Sequence, residues 1–238
     1  MSNDTMTIII DGYHVPAAQG QTIMQAATAA GIYIPHLCYH PDLPPAGHCR
    51  LCTVRVNGKP TSACTFPVSE GLVIESDTEE LNAERRRIVE MLFIEGNHYC
   101  PTCEASGNCE LQAMAYRLGM ISPQMPYMRV HRALDATHPD VYLDRDRCIL
   151  CGRCVRASRL LDGKSVFGFE NRGIRTQITV NSADGLGQTN LSAADKAPQL
   201  CPTGCLMVKR VGYEVPMGQR LYDHEPIGTD IERQHAAE

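Results

Sequence analysis

Cys148, Cys151 and Cys154 form a Cys-x2-Cys-x2-Cys run, and Cys201 follows far downstream with Pro202 behind it. Three thiolates in such a run can cap three corners of an iron–sulfur cubane while a remote Cys-Pro supplies the fourth. Cys38, Cys49, Cys52 and Cys64 make another set, one short-spaced pair with two distant singles. The pair can converge on one iron and the singles can close the other side of a [2Fe–2S] centre. Zinc also accepts four thiolates, but its structural sites usually draw on two short-spaced pairs, so iron is the expected metal. Gly47 lets backbone approach a sulfide beside this pair. With four thiols in the set, His36, His40 and His48 are read as surface or supporting residues and not as Rieske ligands. Between these sets stand Cys100, Cys103 and Cys109, one thiolate short of a [4Fe–4S] shell. His98 is the nearest candidate for the fourth position, and an imidazole there removes one negative charge and raises the potential. Cys205 is the other candidate; if His98 ligates, Cys205 is most simply a buried free thiol.

Composition agrees with several small metal-stabilised units. In 238 residues the chain has no Trp and four Phe, so its cores look light, and a metal site can supply what a small core lacks. Met1 to Asp11 carries no signal-peptide pattern, and no apolar run approaches the roughly 18 residues of a membrane helix. A soluble, cytoplasmic chain is expected, and in that reducing compartment dense cysteine means metal before disulfides. The formal charge of −5, with no basic stripe among aromatics, speaks against nucleic acid. Arg85-Arg86-Arg87 is read as a solvated helix face. No G-x-G-x-x-G follows an expected strand, and no P-loop, Ser/His/Asp set or carboxylate pair stands out. No catalytic residue is expected on this chain, and nucleotide and flavin belong elsewhere. Several clusters in series make sense where two partner proteins dock at separated points.

The elements that must position these residues form an α+β chain. Residues 6–10 and 13–16 are expected to be strands joined by an Asp11-Gly12 turn, with a helix over 22–30 capped by Thr22. Strands follow over 53–56, 60–64 and 71–75, with Asn57-Gly58 as a hairpin turn. The longest helical pattern covers 79–95 and leads into the second set, which a helix near 109–118 leaves. Residues 119–139, with three prolines, read as a linker. Beyond it come a strand near 141–143, helices about 152–161 and 192–200, the latter capped by Ser192, and strands about 165–170 and 174–180. The segments are 1–78, a [2Fe–2S] ferredoxin-like domain; 79–118, a small helical module with one His and three Cys ligands; 119–139, the linker; 140–210, a four-cysteine [4Fe–4S] ferredoxin-like domain; and 211–238, a polar tail.

Together these residues resemble the N-terminal iron–sulfur region of the large electron-transfer subunit of complex I, over roughly residues 5–210. The likeness rests on Cys38, Cys49, Cys52 and Cys64, on His98-Tyr99-Cys100-Pro101-Thr102-Cys103 continuing to Asn108-Cys109-Glu110-Leu111-Gln112, and on the third cysteine set. It implies a plant-type ferredoxin (β-grasp) domain, a His-and-three-Cys [4Fe–4S] module and a bacterial-ferredoxin-like all-Cys [4Fe–4S] module. Complex I places three residues between the His and the first Cys, and this chain has only Tyr99; the molybdopterin-like region that follows there has no room here. With Gly96-Asn97-His98-x-Cys100-Pro101 and the tail Lys209-Arg210-Val211-Gly212-Tyr213, the chain is similar to the diaphorase iron–sulfur subunits of cytoplasmic NAD-reducing [NiFe]-hydrogenases. That resemblance implies a relay between an FMN- and NAD-binding diaphorase subunit and the hydrogenase small subunit, which leads to the Ni-Fe centre of the large subunit. The alternative is the equivalent subunit of an NAD-dependent formate dehydrogenase or of complex I.

Overall fold

Asp11 and Gly12, with φ of 50° and 87°, turn β1 (Thr5–Ile10) back onto β2 (Tyr13–Ala18) as the hairpin reading requires. The computed structural model describes residues 5–235; residues 1–4 and 236–238, the outer ends of the first segment and of the tail, lie outside the described residues. Thr22 opens α1 (Ile23–Ala29) with a capping box: its hydroxyl accepts from Gln25 N, and Gln25 Oε1 accepts from Thr22 N at 2.8 Å. Then come β3 (Thr53–Val56), β4 (Lys59–Ser62) and β5 (Val73–Glu75). The sheet order is β2-β1-β5-β3-β4, with β1 parallel to β5 and the other pairs antiparallel. Ile23, Met24, Ala26 and Ala27 of α1 pack on Ile8, Ile10, Val15, Val54 and Ile74 of the sheet, each large side chain contributing about 1.5–3 kcal/mol by burial. A mixed sheet crossed by one helix is the β-grasp arrangement expected for this end of the chain.

The Asp11 turn also fastens the next element, because its carboxylate accepts from Ser76 N at 2.6 Å and from Ser76 Oγ at 2.5 Å. Thr78 then caps α2 (Glu79–Ile94), which precedes the second set, and α3 (Glu110–Arg117) follows it. The reading of Arg85-Arg86-Arg87 as a solvated face fails at Arg85, which is 1 % exposed. Its guanidinium donates to the carbonyls of Leu51 and Thr53 at 3.0 and 2.9 Å and to Asn82 Oδ1 at 2.9 Å. Those two carbonyls flank Cys52, so one buried cation ties α2 to the loop of the first set.

The third unit contains β6 (Leu134–Asp135), β7 (Val141–Asp144), α4 (Arg153–Leu160), β8 (Phe167–Glu170), β9 (Gln177–Val180), α5 (Lys196–Gln199) and β10 (Leu206–Val208). One sheet runs β10-β7-β6 and another is the β8-β9 hairpin. Residues 119–139 are thus more than a tether. β6 pairs with β7, Arg132, Asp135 and His138 are buried, and Asp146 accepts from Arg132 N while the His138 ring lies against Leu191 O. The helix expected over 192–200 shrinks to α5, because Asp162 reaches across to accept from Lys196 N and Ala197 N, while Ser192 N donates to Asp195 in the turn before it. The tail packs on its own chain: Tyr213 donates to Thr102 O, Tyr222 N to Gly107 O, and α6 (Thr229–His235) lies beside Arg117.

Arg85→Met should remove three charge-assisted hydrogen bonds and leave two carbonyls unpaired. A loss of about 2–4 kcal/mol is expected, read from the denaturant midpoint of the holoprotein.

Candidate functional site

The first thiol set lies at the edge of the N-terminal sheet. Cys38 sits in the irregular stretch after α1, Cys49 and Cys52 in the turn that enters β3, and Cys64 in the turn that leaves β4. Gly47 and Arg50, with φ of 67° and 60°, wind the loop so that Cys49 N donates to Cys38 Sγ at 3.4 Å. The four thiols lie close together, Cys38 toward Cys49 and Cys64 and Cys64 toward Cys52, near enough for an S–H to bond a neighbouring thiolate. These bonds hold the Cys38 thiol far below its ordinary range and push Cys64 far above. Cys52 is lowered with Cys38 and Cys49 raised with Cys64, so the set resists a fourfold negative charge, and four thiolates together need metal cations to balance them.

In the second set, Cys100 lies in a 3-10 turn, and Cys109 occupies the N-cap of α3, where the helix dipole favours negative charge. Cys100, Cys103 and Cys109 line one cavity with His98, Arg147 and Gly204. Three features suit a bound inorganic group. His98 Nε2 is buried there without any hydrogen-bond partner. Burial, with the Arg147 cation next, pushes His98 down to about 4, so at neutral pH the ring keeps a free lone pair. A Cβ on Gly204 would lie 2.9 Å from Cys103 Sγ, so a larger residue would close the cavity. Burial drives Cys109 up to about 12, and metal binding must therefore displace its proton.

Cys148, Cys151 and Cys154 enter α4 through Leu150 and Gly152, whose φ values of 53° and 68° curl the run. Cys201 comes in from the end of α5. Cys205 does not reach the second set. It is buried in the core of the third unit, against which Cys148 and Cys201 pack, which leaves His98 as the fourth side chain among the second-set thiols. A Cys205 hydrogen bond draws Cys201 down to about 6, whereas burial raises Cys151 and Cys154. Among the described residues no three Cys, His, Asp or Glu side chains surround one point closely enough for a single metal ion; a polynuclear core asks for donors spread over its corners. All twelve cysteines are free.

Spacing alone does not reveal the residues that join the sets. Arg153, between two cysteines of the third run, is 2 % exposed and donates to both carboxylate oxygens of Glu110, at 2.5 and 2.8 Å, and to Tyr39 O at 2.7 Å. Glu110 adjoins Cys109, and Tyr39 adjoins Cys38. Arg156 donates to Cys38 O at 2.5 Å, and His48 Nδ1 lies 3.2 Å from Cys151 O. Arg147 Nη1 approaches Cys103 Sγ at 3.7 Å, and the Cys109 thiol reaches Pro202 O at 3.6 Å. Cys38, Leu51, Val89, Leu111 and Cys151 share one buried core. The visible signal was a charged residue inside each cysteine-rich stretch. His36 stays apart from the thiols, bonded through Nδ1 to Ile34 O, and His40 accepts from Asp42 N.

A β-grasp sheet, a helical turn bearing one His and three Cys, and a ferredoxin-like four-cysteine unit packed together define an iron–sulfur electron-transfer protein. Family models match in the same order: a 2Fe-2S iron–sulfur cluster binding domain over residues 3–79, the NADH-ubiquinone oxidoreductase-G iron–sulfur binding region over 85–123, and a 4Fe-4S single cluster domain over 141–208. The chain belongs to the family of the gamma chain of the NAD-reducing hydrogenase HoxS of Cupriavidus necator, with which it is 40% identical over 94% of this chain and 95% of that one. A solved structure of an NAD+-reducing [NiFe]-hydrogenase in the H2-reduced state contains a chain that is 47% identical, with a TM-score of 0.90 over 93% of this chain and 94% of that one. The mitochondrial NADH-ubiquinone oxidoreductase 78 kDa subunit of Candida albicans is 34% identical over 85% of this chain, which spans only 28% of that relative. Among the described residues no helix is long and apolar enough to cross a membrane.

Arg153→Met should strand Glu110 and unlace the three sets. We expect a loss of about 3–5 kcal/mol, measured by denaturant midpoint, together with iron release at a lower denaturant concentration than in the wild type.

Proposed function

We propose that the chain is the electron relay of an NAD-reducing hydrogenase, passing electrons from a [NiFe]-hydrogenase module to an FMN- and NAD-binding diaphorase subunit. The degree of similarity supports this over a complex I role, since identity is 40% with the hydrogenase gamma chain and 34% with the 78 kDa oxidoreductase subunit. The ligand sets are Cys38, Cys49, Cys52 and Cys64 for a [2Fe–2S] cluster; His98, Cys100, Cys103 and Cys109 for one [4Fe–4S] cluster; and Cys148, Cys151, Cys154 and Cys201 for another. Each such cluster, when bound, takes up and releases single electrons.

The observation that carries the proposal is the position of the third set, which touches both others. His48···Cys151 O and Arg156→Cys38 O join it to the first set, and Cys109 Sγ···Pro202 O and Arg147→Cys103 Sγ join it to the second. A cluster held by the third set would therefore lie between those held by the first and the second, although the third set comes last in the chain. Arg147, Arg153 and Arg156 place positive charge beside thiolates that carry net negative charge. The thiols yield their protons as iron binds, and neutral His98 offers its lone pair without one.

Around the second set, Tyr99, Tyr213, Val215 and Met217 stand exposed, which supports protein docking at that end, where the relay must hand electrons on. The partners are the FMN- and NAD-binding subunit and the hydrogenase small subunit, in a cytoplasmic complex.

The assembled complex should contain nickel and reduce NAD+ with H2, while the isolated chain should hold about ten irons and oxidise neither H2 nor NADH. A colourless, zinc-bearing chain would sink the reading, and molybdenum or tungsten in the complex would move it to formate dehydrogenase. His98→Ala should abolish or shift one [4Fe–4S] paramagnetic signal and leave the others; an unchanged spectrum would remove His98 from the ligand set.

A further inference from the structure

Arg147 is the last residue before the third cysteine run, yet its side chain reaches the second set. The backbone explains why. Arg147 ends a short 3-10 turn, Arg145–Arg147, which Asp144 caps by accepting from Asp146 N. Its carbonyl accepts from Thr203 Oγ1 at 2.9 Å, so the main chain is fastened to the segment just after Cys201. Two contacts then aim the guanidinium: Nε donates to Asp144 Oδ2 at 2.9 Å, and Nη1 donates toward Cys103 Sγ at 3.7 Å. Gly204 leaves room for both groups, because a Cβ there would lie 2.9 Å from the Cys103 sulfur and 3.4 Å from Arg147 Nη1. The Arg147 and Asp144 side chains are only 24 % and 19 % exposed, so water and salt screen their charges in part.

We propose that Arg147 sets the reduction potential of the second cluster: its charge and its N–H at the Cys103 sulfur raise that potential, and the Asp144 carboxylate limits the rise. The inference rests on the reading in which His98, Cys100, Cys103 and Cys109 hold a [4Fe–4S] core. Reduction adds one electron to such a core, and a cation that donates a hydrogen bond to a ligand sulfur stabilises the added charge. A guanidinium keeps its proton at every pH the protein meets, so the effect is a constant offset. Direction matters as much as charge. With Nε held by Asp144, Nη1 is left pointing at one sulfur, whereas Arg153 and Arg156 donate to carbonyls and a carboxylate. Arg147 therefore acts on the second set from a backbone anchored in the third. In the relay, the offset makes the second cluster a better acceptor for an electron arriving from the third set.

The test is an EPR-monitored redox titration of the intact complex carrying Arg147→Met, Arg147→Lys or Asp144→Asn, with iron counted in each and His98→Ala prepared to mark the second-set signal. Arg147→Met should keep full iron content and lower the midpoint of that signal by about 59 mV, a tenfold change for one electron. The other midpoints should move less. Arg147→Lys, which retains the charge, should recover part of the shift. Asp144→Asn removes the opposing charge and leaves the guanidinium, so it should move the same midpoint upward. Loss of packing alone does not give opposite signs, because both substitutions break one ion pair. An unchanged midpoint in Arg147→Met with full iron, an equal shift in every [4Fe–4S] signal, or shifts of the same sign at positions 144 and 147 would overturn the inference alone. If Arg147→Met loses iron, Asp144→Asn still decides, an upward shift supporting the inference and an unchanged or lowered midpoint overturning it. If no [4Fe–4S] signal responds to His98→Ala, the ligand assignment falls and takes the inference with it.

Discussion

One guanidinium holds the three thiol sets in register. Arg153 is buried between two cysteines of the third set and grips Glu110 with both carboxylate oxygens, next to Cys109, and the carbonyl of Tyr39, next to Cys38. Burial disfavours its charge, but Glu110 more than restores it, and Arg153 ends above the ordinary guanidinium range. A buried ion pair adds little net stability over an apolar pair of equal volume, yet it is strongly directional. That directionality suits a relay, where the useful quantity is the fixed distance between centres. Arg85 plays a similar part between α2 and the first-set loop.

The chemistry of the thiols themselves couples folding to metal. Packed apart from water and against one another, these cysteines split into those held low by a neighbour's S–H, such as Cys38 and Cys201, and those driven up by burial, such as Cys109 and Cys151. A full set of thiolates is electrostatically untenable in such surroundings until cations arrive. Small cores, with four Phe and no Trp in the whole sequence, leave much of the organisation to those centres. His98 differs in kind, since burial makes it neutral and ready to donate without releasing a proton.

Chain order and spatial order diverge at the middle of the molecule. The third set comes last in the sequence, but its loop enters between the other two because α4 packs toward the first set through Arg153 and Arg156, while the Cys201-Pro202 turn packs against the N-terminus of α3. Glu110 N donates to Pro202 O at 2.9 Å, so the helix that leaves one set is fastened to the turn that completes another. The segment over 119–139 permits this arrangement by doubling back as β6 along β7 rather than spanning open solvent. The tail then covers the second set, with Ile227 entering the shared core.

Spacing made the candidate ligands legible: Cys-x2-Cys runs, a trailing Cys-Pro and turn dipeptides such as Asp11-Gly12 are local features, governed by backbone sterics and by the reach of one thiol to one iron. The hairpins, α1, α2 and the cysteine grouping followed from those features. Contacts between distant segments were not legible. Nothing local distinguishes Arg85, fully buried, from Arg87, exposed, or shows that Asp162 would shorten α5, or that Cys205 would join the third set rather than the second. By itself the sequence determined how the cysteines group into sets. Only the tertiary structure decided which sets are neighbours, because that depends on buried charges finding carbonyls and carboxylates dozens of residues away, and no periodicity or spacing records such partners.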